Sequence, residues 1–296
     1  MKVKVYAKLN LTLNVLGRHD GFHNIDSVVT SVDVFDVVEV VPRFDGRITV
    51  AGMDNLLPEQ NAAYKAAKGF IEYFSPTWYE QSEDYSAFPG ADITIKKGIP
   101  MGAGMGGSSA DAAAVIYALC NICNENVNSQ TVHDLCSRLG SDINYMLFGG
   151  LARMRGKGDK VERSNMGGVL YFALTTFDTS MSAAAVYSQF DKLESVQVFT
   201  DNGALLGVLT RAVPQGISQC FNNHLQQAVS SLSDYASDYL QFCKRQGLTP
   251  NMTGSGSAYY VAFVNEQSAR DAVNLLNSNG FNTTLCRSVP RGIEII

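Results

Sequence analysis

The stretch from Pro100 to Leu119 reads PMGAGMGGSSADAAAVIYAL. Four glycines, Gly102, Gly104, Gly106 and Gly107, precede two hydroxyls, Ser108 and Ser109, and then a run of strong helix formers begins at Ala110. Glycines let a backbone turn so that several N–H groups converge on one hollow. A helix behind them adds unpaired N–H groups and the positive end of its dipole. Together these features cradle phosphate oxygens. Neither common nucleotide motif is present. A Walker loop places lysine directly before Ser/Thr, whereas Gly107 precedes Ser108 and no lysine occurs between Pro100 and Leu119. A dinucleotide fingerprint needs a short parallel strand before it and an acidic residue roughly 20 positions later. Glu125 and Asp134 lie near that distance, but neither ends a clear strand.

Other residues could complete a phosphate site. Thr253, Gly254, Ser255, Gly256 and Ser257 form a second polar, flexible cluster before an apolar strand. It is either an ordinary turn or a second jaw that closes on the same ligand from the opposite side. Lys8 and Asn10 share a strand with Ala7, Leu9 and Leu11. By pattern alone Lys8 reads as a solvated outer-face residue, and its functional alternative is a cation aimed at a phosphate. Phe22 and His23 sit in the polar turn GRHDGFHNIDS. They either anchor that turn or stack on and hydrogen-bond a planar base. Asp142 follows Gly140 and Ser141 at an expected helix start. It caps that helix or accepts a hydroxyl proton during phosphoryl transfer.

The elements that carry these groups follow from periodicity. Residues 2–16 alternate as a strand, and the Val-rich run over 25–41 predicts one or two more. Asp45-Gly46 predicts a hairpin turn before Arg47–Val50. Helices are expected over 61–74, 109–123, 129–139, 182–193, 202–210, 222–245 and 266–279, and strands over 91–95, 169–175, 258–264 and 282–287. Residues 75–91 read as a surface excursion, and a compositional shift near 164–168 suggests a domain boundary. The class is α+β rather than a regular βαβ series.

Composition narrows the function. The net charge is −5 with no basic run, which argues against a nucleic-acid surface. No segment approaches the apolar length of a membrane span, and the N-terminus has no long apolar signal core, so the cytoplasm is the default. Cys120 and Cys123 form a CxxC, with His133 and Cys136 downstream. Their spacing matches no common zinc module, so buried free thiols are expected.

Four blocks occur in an order that resembles the GHMP kinases, a family of small-molecule ATP-dependent kinases. They are AKLNLTLNVLGRHDGFHNIDS (7–27), IPMGAGMGGSSADAAA (99–114), LGSDINYMLFGG (139–150) and MTGSGSA (252–258). The DG-aromatic-His turn points to the branch acting on a cytidine-diphosphate sugar alcohol; the alternative is a homoserine- or mevalonate-type member. The resemblance implies a two-domain α+β fold, residues 1–164 and 165–296, with the site in the cleft between them. Lys8 would be the active-site lysine, with Asn10 beside it, and Asp142 the carboxylate for the hydroxyl proton. Pro100, Gly102, Gly104, Gly106, Gly107, Ser108 and Ser109 would wrap the ATP phosphates, and Asn61 and Lys97 would serve the adenine pocket. Phe22 and His23 would hold the base, and Gly254, Ser255 and Gly256 would line the substrate side. ATP and Mg²⁺ are the implied cofactors, with no metal site in the protein itself, and the implied assembly is a monomer or homodimer. Four positions depart from the family pattern: Phe22 replaces tyrosine, Ser108 glycine, Asn144 proline and Ala183 threonine.

Overall fold

The computed structural model describes residues 1–19, 21–53, 56–81, 90–179, 181–193 and 198–296. Its spine is a single 22-residue strand, Phe22–Arg43. The sequence predicts one or two strands here. One forms because successive stretches each find an antiparallel partner: Thr12–His19, Leu151–Gly156, Lys2–Asn10, Thr283–Val289 and Gly90–Lys96. The expected strand over 2–16 breaks at Leu11, giving Lys2–Asn10 and Thr12–His19.

Lys2–Asn10 alternates at first, with Val3 and Val5 inward, and from Tyr6 onward every residue is buried. Lys8 and Asn10 are therefore interior residues, and the solvated outer-face reading of Lys8 does not hold. The backbone N–H of Lys8 donates to the Met105 carbonyl at 3.0 Å, which pins this strand to the glycine loop.

Two local expectations are corrected. Asp45-Gly46 does turn the chain, but Ile48–Ala51 pairs parallel with Gly90–Lys96 instead of folding back on the long strand. Gly90–Lys96 already occupies that edge, and Arg43 forks onto both Asp45 and Asp92, holding the turn against the newcomer. The helix expected over 222–245 is divided. Asn222–Asn223 pairs with Thr12–Leu13, and helices Gln226–Leu232 and Asp234–Arg245 are separated by Ser233. The Ser233 hydroxyl caps the second helix at the Ala236 N–H, which is why the chain restarts there. Of the excursion expected over 75–91, residues 75–81 extend the helix Ala62–Gln81, Gly90 and Ala91 open a strand, and 82–89 lie outside the described residues.

One hydrogen-bonded path joins both halves of the chain: Pro250–Met252, Tyr259–Phe263, Tyr171–Thr175, Thr283–Val289, Phe22–Arg43, Lys2–Asn10 and Ile293–Ile295. Apolar side chains gather into two clusters. The larger packs Ala-rich Gly107–Ile122 and Ala62–Gln81 on the N-terminal strands, and the smaller centres on Tyr239, Tyr259 and Leu225. Cys120 and Cys136 are buried, and burial pushes their thiols up to about 12, so they pack as neutral side chains.

Candidate active site

The glycine loop runs between the strand Gly90–Lys96 and the helix Gly107–Ile122. Gly106 sits in left-handed geometry at the helix N-cap, and the first helical bond is Ala110 N–H to the Gly106 carbonyl. The N–H groups of Gly107, Ser108 and Ser109 precede that bond and have no carbonyl one turn back, as an anion site requires. A cleft of about 850 Å³ is lined by Gly52, Met53, Leu56 and residues 97–109. Ser108 is already helical and exposed, so its position makes no use of glycine's freedom.

The second glycine cluster does not oppose the first from across a cleft. The two pack directly on each other. A Cβ on Gly104 would lie 2.2 Å from the Thr253 carbonyl oxygen, and one on Gly254 would lie 2.6 Å from that of Gly104. Backbone bonds from Ala258 to Ala103 and from Ser257 to Gly102 join the loops into one wall.

Asn10 fastens this wall to the strand beneath. Its side-chain oxygen accepts from Lys8 Nζ at 2.5 Å and from the Gly254 N–H at 2.9 Å, while its amide donates to Ser27 Oγ at 2.8 Å. A Cβ on Gly106 would lie 3.2 Å from Lys8 Cγ, so the lysine passes directly under the loop. Its ammonium lies 3.8 Å from Asp142 Oδ2. Burial lowers the pKa of Lys8, and Asp142 opposes that shift.

Asp142 stands at the N-cap of Ile143–Phe148 but makes no capping hydrogen bond. The carboxylate turns to Lys8 instead, so the structural alternative for Asp142 is not realised. Asn144 bonds His133 Nδ1 through its side-chain oxygen, and its amide donates to the His133 carbonyl and Ser137 Oγ. These bonds tie two short helices together and account for asparagine at that position.

Lys97 lines the cleft, with its ammonium 2.5 Å from Asp36 Oδ2 and 2.8 Å from Asp111 Oδ2. Burial works against its charge, but the two carboxylates prevail and hold its pKa above the ordinary lysine value. The other Asp36 oxygen accepts from the Gly98 and Ile99 N–H groups, fixing the start of the loop. Asp111 Oδ1 is buried without a hydrogen-bond partner among the described residues. Burial pushes the Asp111 carboxyl up to about 7, with Lys97 opposing and Asp36 reinforcing. Sequence reasoning missed both acids. For Asp111 the available signal was a lone carboxylate among alanines; Asp36 shares its Val-rich strand with Asp33 and Glu39, and nothing in the spacing singles it out. Asn61 is buried, and its side-chain oxygen caps the helix Ala62–Gln81 at the Ala63 and Tyr64 N–H groups. It is not among the residues that line the cleft.

A second cavity, about 500 Å³, is lined by Phe22, His23, Ser141, Lys157, Tyr187 and Asp191 among others. Phe22 is 63% exposed, so it anchors nothing in the core. His23 stacks on Tyr187 at 4.5 Å and bonds Asp191 Oδ1 through Nε2 at 2.7 Å. Burial raises the Tyr187 pKa to about 12, and the charge of Asp142 adds to the shift. Lys8 and Asp142 thus stand between the two cavities, next to Gly106 on one side and to Ser141 on the other. Ala183 is exposed at the start of Ala183–Phe190.

A glycine loop at a helix N-terminus, above a buried lysine that faces a carboxylate, is the arrangement a small-molecule kinase requires. Residues 61–150 match the N-terminal domain of the GHMP kinases. A 4-diphosphocytidyl-2-C-methyl-D-erythritol kinase from Clostridium tetani is 31% identical over 284 residues, covering 94% of this chain and 96% of that protein. A solved 4-(cytidine 5'-diphospho)-2C-methyl-D-erythritol kinase superposes with a TM-score of 0.78 at 25% identity, over 98% of this chain and 100% of that one. Homoserine kinase from Cytophaga hutchinsonii shares the fold, with a TM-score of 0.70 at 16% identity over 100% and 97% of the two chains. The chain belongs to the GHMP kinase family.

Proposed function

We propose that this chain transfers the γ-phosphoryl group of ATP to the 2-hydroxyl of 4-diphosphocytidyl-2-C-methyl-D-erythritol, a step in non-mevalonate isoprenoid precursor synthesis. The observation that carries the reading is Asp142, which leaves its own helix uncapped and faces buried Lys8 between two cavities. In this reading the phosphates lie on Pro100, Gly102, Gly104, Gly106, Gly107, Ser108 and Ser109, with Lys97 and Asn61 toward the adenine side. The cytosine occupies the cavity of Phe22 and His23, and Gly254, Ser255 and Gly256 back the substrate side. In the same reading residues 1–164 and 165–296 act as two lobes about that cleft. The protein works in the cytoplasm; among the described residues no helix is long and apolar enough to cross a membrane.

Asp142 takes the proton of the attacking hydroxyl as the new oxygen–phosphorus bond forms. The bond from the γ-phosphorus to the bridging oxygen breaks, and ADP leaves. Lys8 offsets charge on the transferring group, and Asn10 holds the lysine in place. Most of the rate enhancement comes from this positioning and electrostatics. Among the described residues no group of three or more His, Cys, Asp or Glu could hold a metal ion unaided. In this reading Mg²⁺ is carried mainly by the nucleotide phosphates. The Ser108 and Ser109 hydroxyls would supply hard oxygen donors to complete its shell, and the ion would neutralise phosphate charge there.

Replacing Phe22 tests the base site. Stacking contributes about 1–3 kcal/mol per base. Phe22→Ala should therefore raise KM for the cytidine substrate roughly tenfold or more, while KM for ATP changes little. Equal losses for both ligands in steady-state kinetics would contradict the assignment.

A further inference from the structure

We infer that Asp191 is the positioning residue that makes this kinase read cytosine rather than uracil, by fixing the tautomer of His23. The inference rests on the proposed function, since it needs a base in the cavity of Phe22 and His23.

His23 Nε2 lies 2.7 Å from Asp191 Oδ1. An ionised carboxylate only accepts, so Nε2 carries the hydrogen. Arg18 Nη1 stands 3.9 Å from the other Asp191 oxygen, pairing that carboxylate with a cation. In a neutral imidazole one nitrogen donates and the other accepts, and the partner of one sets the role of the other. In the neutral ring His23 Nδ1 is therefore the acceptor. It has no partner among the described residues and is not sealed from solvent, and His23 lines the cavity. The ring itself is held by its stack on Tyr187, at 4.5 Å and 21°.

An acceptor in that cavity selects among pyrimidines. Cytosine presents an amino donor at its fourth position, where uracil presents a carbonyl acceptor. Nδ1 meets the cytosine donor with a hydrogen bond, whereas uracil sets two acceptors against each other. Leaving such a group unpaired costs enough for about a tenfold preference or more. Asp191 touches His23 and Arg18, 168 residues away from the histidine in sequence.

The test compares the full-length enzyme with Asp191→Asn and Asp191→Ala. ADP release is followed with the cytidine-diphosphate substrate and with its uridine counterpart. Asparagine can donate to Nε2 and so move the ring hydrogen to Nδ1. The expected result is a cytidine-over-uridine ratio of kcat/KM at least about tenfold lower in Asp191→Asn, with Asp191→Ala in between. Nitrogen-15 resonances of the His23 ring should report Nε2–H in the parent enzyme and Nδ1–H in Asp191→Asn, a change that loosened packing would not produce. An unchanged ratio in a folded Asp191→Asn variant, or an Nδ1–H tautomer in the parent, would overturn the inference. A parent enzyme that phosphorylates neither nucleotide form overturns the proposed function instead, and the inference falls with it.

Discussion

Lys8 is 5% exposed and shares its ammonium between Asn10 and Asp142. A buried cation is costly unless it is paired and hydrogen-bonded. Asp142 repays part of that cost, and in the proposed reaction it accepts the substrate proton. A positioned general base contributes about 10²–10⁴-fold. Asp142→Asn should lower kcat by that order and leave KM for ATP within a few-fold. Turnover near the parent level would remove Asp142 from the mechanism. Asp111 gives a separate prediction. Its carboxyl is raised to about 7 in the folded protein, against roughly 4 in the unfolded chain. The folded state therefore holds the extra proton between those values. The associated stability is complete below about pH 4 and is lost as pH rises through about 7. Urea midpoints measured from pH 5 to pH 8 should fall with pH, and Asp111→Asn should flatten the decline. An equal decline in that variant would place the pH dependence elsewhere. The groups facing Asp111 are Lys97 and Asp36, and ionised Asp111 adds a negative charge behind the helix that the phosphates approach.

At the scale of elements, the glycine loop was the most legible part of the chain. Its glycines, its helix and the strand before it follow from local spacing. What occupies its far side was not legible. Asn10 meets Gly254 across 244 residues, and Gly104 meets Thr253 with no room for a side chain. Periodicity places a residue on a face but does not say which distant segment covers that face. The same limit hid Asp36, Tyr187 and Asp191, whose partners lie far away in sequence. Gly104 has φ +75°, and its Cβ would collide with backbone at 2.2 Å. Gly104→Ala should destabilise the protein by about 2–4 kcal/mol, from left-handed strain plus overlap. Ser108→Gly, on an exposed helical position, should cost at most about 1 kcal/mol. Thermal unfolding of the two variants checks the contrast, and similar losses would mean that the loops do not bear on each other.

At the scale of the whole molecule, the sheet path explains why the site draws on every part of the sequence. Thr283–Val289 joins the C-terminal strands to the long central strand, and Ile293–Ile295 pairs with Lys2–Asn10. The wall of packed loops combines residues 102–106 with 253–258, and the second cavity draws on residues 18–25 and 184–191. The α+β class and most helices were readable from periodicity, whereas this closure of the chain end onto its beginning was not. Homoserine kinase shares the fold, so architecture alone does not choose the acceptor. In the proposed function the second cavity makes that choice, since homoserine and mevalonate carry no base. The most direct measurement is ATP-dependent ADP release by the purified chain with 4-diphosphocytidyl-2-C-methyl-D-erythritol, mevalonate or homoserine as acceptor. Turnover with the cytidine compound should be at least about 10²-fold above either of the others, from stacking and base hydrogen bonds together. Equal or faster turnover of mevalonate or homoserine would contradict the proposed function.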